Sequence, residues 1–176
     1  SVSVIPKVVT VDAAENENMV LVNAKAAAGY PQNIHDTSWD RKLPAFDLPI
    51  PQFRNATYRG FQVEGDSMLP NLQPGDWVLA RAVESWNDIS PNRMYVVVLT
   101  DAVLVKKIDK LPGSARFRLV SLNESYAPYE IDPSQLQEVW EVRSKITFGL
   151  DATTENGLLR QLQRSMEELK QKLAAG

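Results

Sequence analysis

The sequence predicts a mostly β domain that ends in a C-terminal amphipathic helix. Two observations carry this. Six β-rich runs follow one another between Tyr58 and Ile146, separated by turns rich in Pro, Gly and Asn. Beyond about Thr154 the apolar residues recur instead at steps of three and four. With 44% hydrophobic and 23% charged residues in 176, the chain can bury a core and does not have the composition of a disordered one.

The elements follow in order. Val2 to Thr10 is a short β-like run, after which Asp12 to Asn18 is polar, so residues 1–19 read as an N-terminal tail or linker. Met19–Asn23 is rich in β formers, and Ala24–Tyr30 is a run of small residues ending at a glycine and a tyrosine. Residues 31–55 contain Pro31, Pro44, Pro49 and Pro51. Because proline lacks a backbone donor and fixes φ, loop with short extended pieces is expected there. The strands expected next are Tyr58–Glu64, Trp77–Arg81, Met94–Thr100, Ala102–Ile108, Phe117–Leu122 and Val139–Ile146, with a tight turn at Asp101. In the last segment Leu159, Leu162, Met166, Leu169 and Leu173 form a narrow apolar seam among charged residues. It spans about two heptads and suits either packing on its own domain or pairing with a second chain. The chain thus divides into a tail at 1–19, a β domain at 20–148 and a helical extension at 149–176.

Composition excludes several functions. There is no cysteine, so disulfides, thiol catalysis and cysteine zinc sites are ruled out, and a reducing, cytoplasmic location is expected. His35 is the single histidine, which excludes a multi-histidine metal site and leaves a Ser-His-Asp triad with one candidate base. No metal and no cofactor are expected. No apolar run is long enough to span a membrane. The net charge of −3 lacks the basic excess of a typical DNA-binding domain. The first residue is Ser1, as expected of a processed, tagged or shortened chain, and no signal-peptide pattern follows it.

The stretch that carries chemistry runs from Val63 to Asp76: Val-Glu-Gly-Asp-Ser-Met-Leu-Pro-Asn-Leu-Gln-Pro-Gly-Asp. Gly65 permits a tight turn at the end of a strand, and Ser67 follows on that turn. Lys106 closes the apolar run Val103-Leu104-Val105. An amine among apolar neighbours loses solvation of its charge, so its pKa falls and the neutral form can take a serine proton. Ser67 and Lys106 are therefore a candidate nucleophile–base dyad. The competing reading is that Ser67 caps a turn and Lys106 extends its charged head to water.

The run Gly65-Asp66-Ser67-Met68-Leu69-Pro70, closed by Pro74-Gly75-Asp76, resembles the nucleophile motif of the LexA, UmuD and phage-repressor peptidases, the S24-type family. The Val103–Ile108 run is similar to that family's lysine strand, and Asn123, Tyr126 and Pro128 resemble its Asn-x-x-Tyr-x-Pro segment. The resemblance covers about residues 20–148. It implies a compact, twisted LexA-like peptidase and dimerisation domain with Ser67 as nucleophile and Lys106 as general base. The backbone N–H groups of Ser67 and Met68 would hold the oxyanion, and self-cleavage would fall at Ala28-Gly29. As partners it implies a second copy of the chain, DNA reached through an N-terminal domain outside this chain, and a recombinase filament as co-protease in an SOS-type response.

The leading expectation is the C-terminal autoproteolysis and dimerisation domain of a LexA-like or phage-repressor-like transcription regulator. The alternatives are a UmuD-like polymerase accessory protein trimmed at its arm, and a regulator that keeps the fold without cutting. A signal-peptidase-like enzyme acting on other chains would need a membrane segment, which is not found here. The sequence departs from compact family members in its longer, proline-rich segment between Gly29 and Tyr58 and in the helix that follows the β domain.

Overall fold

A computed structural model describes residues 4–9, 11, 18–150 and 155–176. Nine strands form one continuous ladder system: β1 (Met19–Val22), β2 (Ala45–Phe46), β3 (Tyr58–Gln62), β4 (Trp77–Ala82), β5 (Tyr95–Leu99), β6 (Val103–Lys110), β7 (Phe117–Val120), β8 (Tyr129–Ile131) and β9 (Leu136–Ile146). Their order across the sheet is β2-β1-β3-β4-β9-β5-β6-β7-β8. All pairings are antiparallel except β1 with β3, which is parallel. The fold is mostly β with a C-terminal helix, as the sequence predicts.

The apolar run in β5 has a direct structural cause. Tyr95, Val97 and Leu99 face one buried cluster with Val83, Ile108, Phe117, Leu119 and Val139. Val96 and Val98 face the other, with Phe61, Met68, Leu72, Val78 and Trp140. A strand covered on both faces needs apolar side chains at successive positions, so alternation disappears. β9 is likewise divided, with Val139 on one side and Trp140 on the other.

β6 changes partner midway. Residues Val103 to Lys106 pair with β5, and Lys107 to Lys110 pair with β7. Over its first half, the β6 edge away from β5 therefore faces no strand among the described residues.

Three differences from the expectation stand out. Single-turn helices form in the small-residue run and in the segment expected to be loop: α1 (Ala24–Ala27) in the former, α2 (Tyr30–Asn33) across their border and α3 (Thr37–Asp40) in the latter. Asn23 caps α1 by accepting from Ala26 N, and Asp36 caps α3 by accepting from Ser38 N and Trp39 N. Pro31 sits in the first turn of α2, where a missing N–H costs nothing. Second, β8 was not expected, and β9 starts at Leu136 rather than Val139. Third, the described part of the expected tail is anchored. Residues 4–9 form no strand, yet Val4 has no exposed surface and packs in the cluster of Tyr95 and Val139. Most of the polar stretch after it lies outside the described residues. The long C-terminal helix is α4 (Glu155–Ala174).

Candidate active site

The site is built where β3 ends, β6 changes partner and β7 ends. After β3 the chain turns at Gly65, whose φ of +75° favours glycine, and reaches Ser67 on a short irregular turn. Met68 beside it is buried and packs with Leu72, Phe61 and Val78, which pins the turn to the core. The carbonyls of the turn are also held. Asp66 O accepts from Leu69 N and Asn123 Nδ2, Ser67 O from Asn123 N at 2.9 Å, and Met68 O from Leu72 N at 3.0 Å. In a planar trans peptide the N–H points opposite to the C=O. With Ser67 O turned toward Asn123, the N–H of Met68 therefore points the other way.

Asp76 closes the return. It is buried, and its carboxylate accepts from Gln73 N and Thr147 Oγ1. Its role is to hold the loop ahead of β4, since both of its oxygens are occupied far from the serine hydroxyl.

The structure brings the two candidate side chains together. Lys106 Nζ lies 2.7 Å from Ser67 Oγ and 2.9 Å from Ser121 Oγ. Lys106 is 7% exposed, and burial pushes its pKa below the ordinary lysine value. Its side-chain hydrogen-bond partners are the two serine hydroxyls, and the burial that lowers its pKa makes the neutral form, which a general base requires, more accessible. His35 is exposed between α2 and α3, while the serine hydroxyl is engaged by the lysine. Among the described residues, no group of three or more His, Asp or Glu side chains is arranged to hold a metal ion.

Ser121 was not singled out from the sequence. The last β6–β7 pair is Lys107 with Val120, so the next step of the same register sets Lys106 opposite Ser121. Phe117 and Leu119 face the core, and Ser121 continues their face by the period of two, the one signal that could have pointed to it. Its hydroxyl accepts from the amine and fixes the direction of the remaining nitrogen positions.

The segment after β7 adds a cover. Tyr126 Oη donates a short hydrogen bond to Asp66 Oδ1, and its ring lies over Lys106, with Nζ 5.7 Å from the centroid. The hydrogen bond to Asp66 raises the Tyr126 pKa, so the phenol stays protonated and keeps donating. Asn123 and Tyr126 thus tie the Ser67 turn to the end of β7.

Ala28 and Gly29 do not lie in extended chain. Ala28 has φ −62° and ψ −34°, and Gly29 has φ −96° and ψ −6°, so the bond between them sits in a helical turn joining α1 to α2. Tyr30, immediately after, is 1% exposed. Its hydroxyl donates to Glu138 and accepts from Arg59, which also reaches Asp40 and Val8 O. Arg59 lies over the rings of Tyr30 and Trp140. This buried network holds the residue that follows Gly29. Ahead of the bond, Ala24 and Ala27 line a cavity of about 170 Å³ together with Gly65, Val103, Leu104 and Val105. The small-residue segment therefore borders the edge of β6, unpaired among the described residues, that leads to Lys106.

A family model described as Peptidase S24-like matches residues 20–146. No curated protein matches the chain. Among the described residues, no helix is long and apolar enough to cross a membrane.

Proposed function

The chain belongs to the Peptidase S24-like family, a family of serine peptidases, and from that membership we propose that it is the self-cleavage and dimerisation domain of a LexA-like or phage-repressor-like transcription regulator. The observation that carries this is the 2.7 Å contact between Lys106 Nζ and Ser67 Oγ, with the amine buried.

Neutral Lys106 takes the proton of Ser67 Oγ as that oxygen attacks the carbonyl carbon of Ala28. The oxyanion that forms is held by the N–H groups of Ser67 and Met68. The Lys106 ammonium then gives its proton to the nitrogen of Gly29, the C–N bond breaks, and Ala28 is left as an ester on Ser67. Water, deprotonated by Lys106, attacks the ester carbonyl; the C–O bond to Ser67 breaks and the Lys106 ammonium returns the proton to Oγ, which restores the serine. Before any of this, the segment around Ala28-Gly29 leaves its helical turn and lies extended along the free half of β6, whose unpaired backbone groups can take one more strand. The alanines already border that edge, which supports cutting within the same chain.

In this reading the uncut domain works in the cytoplasm as a homodimer. It joins two DNA-binding domains that lie outside this chain, and a recombinase filament stimulates the cut. Two linked half-site contacts bind with a high effective concentration that is lost when the link is broken.

Intact-mass spectrometry over a range of pH tests the reading. A fragment beginning at Gly29, absent in Ser67→Ala and Lys106→Ala, is expected; no such fragment under any condition argues against Ala28-Gly29. One observation favours a second reading, a regulator that keeps the cleft without cutting: the bond is helical and Tyr30 beside it is buried. A chain that stays whole at every pH but self-associates supports that alternative.

A further inference from the structure

α4 is the one long element whose apolar face nothing in the described chain covers. Leu158, Leu159, Leu162, Met166, Leu169 and Leu173 are between 54% and 76% exposed. The chain leading into it is also apolar and exposed, at Phe148 and Leu150. We propose that α4 pairs with α4 of a second copy of this chain as a parallel, in-register, two-stranded coiled coil.

The spacing argues for a helix as the occupant. Leu159, Leu162, Met166, Leu169 and Leu173 alternate steps of three and four, a mean of 3.5, which keeps a seam facing a supercoiled partner. Assigned to a heptad, Leu159, Met166 and Leu173 take position a, and Leu162 and Leu169 take d. The seam is narrower than the broad stripe of a helix packed on its own domain. The polar face carries Glu167 and Glu168 among Arg160, Arg164, Lys170 and Lys172, so it lacks the uniformly basic character that would draw an anionic lipid surface.

The layers argue for a parallel arrangement of identical helices. In parallel register each of the five seam residues meets its own copy, giving five layers. In antiparallel pairing a meets d, and the two best registers give four layers each, leaving either Leu173 or Leu159 without a seam partner. The flanking positions agree. Across a parallel seam, position g faces the following e of the partner, so Leu158 meets Gln163 and Ser165 meets Lys170. No like charges are opposed.

Two heptads are a small contact. Such a pair is weak alone and gains from being tethered to a second interface. The proposal therefore rests on the self-association proposed above, but not on cleavage.

The absence of cysteine makes the test direct, because one introduced thiol is the only thiol in the chain. Met166→Cys at a places the two sulfurs within disulfide reach in the parallel register alone. Arg164→Cys, on the outer face, controls for collision. Under mild oxidation the full chain with Met166→Cys is expected to form a cross-linked dimer readily, and the control is not. In sedimentation the double change Leu162→Glu, Leu169→Glu is expected to weaken self-association by roughly a hundredfold or more, since buried unpaired charges cost several kcal/mol. Circular dichroism and a retained melting transition check that the β domain still folds.

Failure of Met166→Cys to cross-link, in a chain that sediments as a dimer, overturns the pairing and leaves the homodimer reading standing. A chain that is monomeric throughout overturns both. Flotation of the chain with phosphatidylglycerol vesicles, lost in the double variant and without any cross-link, would assign the seam to a membrane surface and overturn the pairing.

Discussion

Lys106 can accept a proton only while its amine is neutral, and burial makes that form accessible below the ordinary lysine value of about 10.4. The reactive fraction is the deprotonated one, so the cleavage rate should rise with pH and level off before pH reaches that ordinary value. A rate that rises nowhere across the pH range over which the chain stays folded, up to the ordinary lysine value, would count against a lysine base. The same shift bears on stability. In the window between the folded value and the ordinary one, the unfolded chain binds more protons, so stability rises with pH there. Ser67→Ala and Lys106→Ala should both abolish cleavage with the fold retained. Lys106→Arg should fail as well, because a guanidinium stays charged at accessible pH. Ser121→Ala removes one acceptor from the amine at 2.9 Å. A hydrogen bond of about 1 kcal/mol corresponds to a fall in cleavage rate of roughly fivefold. An unchanged rate in a folded Ser121→Ala chain would show that the hydroxyl does not position the lysine.

In the proposed reading, the segment from α1 to α2 holds the bond that Ser67 and Lys106 would cut. Gly29 has a negative φ, and a Cβ there would meet only ordinary contacts at 3.7 Å or more, so the folded backbone does not demand glycine. Gly29→Ala should therefore raise stability, by about 0.4–1 kcal/mol, through reduced freedom of the unfolded chain. Because cutting requires this turn to unwind, the same change should slow cleavage by a factor of about two to five. Denaturant titration and timed mass spectrometry read the two effects separately, and faster cleavage in the alanine variant would mean that the turn is not the barrier. Tyr30→Phe takes the donor from buried Glu138 and the acceptor from Arg59. Glu138 keeps its hydrogen bond from Trp140 Nε1, but the Arg59 Nη1 that faced Tyr30 loses its acceptor, at a cost of about 1–3 kcal/mol, visible as a lower denaturation midpoint at unchanged slope.

The whole molecule places a further step after the cut. The piece ahead of Gly29 includes β1, paired with both β2 and β3, and buries Val4, Met19, Val20 and Val22. Breaking one peptide bond does not remove these contacts, each large apolar side chain being worth roughly 1.5–3 kcal/mol when fully buried. Cut chains should therefore keep both fragments together in native size exclusion and separate them in denaturant. Separation of the fragments at once, without denaturant, would mean that β1 leaves the sheet on cleavage. In the proposed reading, if the fragments stay together, release of a DNA-binding part joined to the N-terminal fragment would depend on the lifetime of β1 in the sheet as well as on the chemistry.

The sequence by itself determined most strands of the β domain, β2 and β8 excepted, because runs of β formers between Pro, Gly and Asn turns are local signals. It also supplied the residue types of the dyad, since Gly65, Ser67 and the apolar run before Lys106 each have a short-range meaning. Strand ends were less legible: β9 begins three residues early, where the 3₁₀ turn at Pro133–Gln135 runs directly into it. Four things only the tertiary structure decided. Ser121 reaches Lys106 through the register of β6 with β7, and Tyr126 reaches Asp66 across 60 residues of chain. The Ala-rich segment became helical turns, held by the Asn23 cap before it and by the burial of Tyr30 against Arg59 and Glu138 after it, far along the chain. Val4 found a place in the core although its surrounding sequence reads as tail. The common physical reason is that each depends on contacts between residues distant in sequence, whose positions are set by strand pairing rather than by local preference.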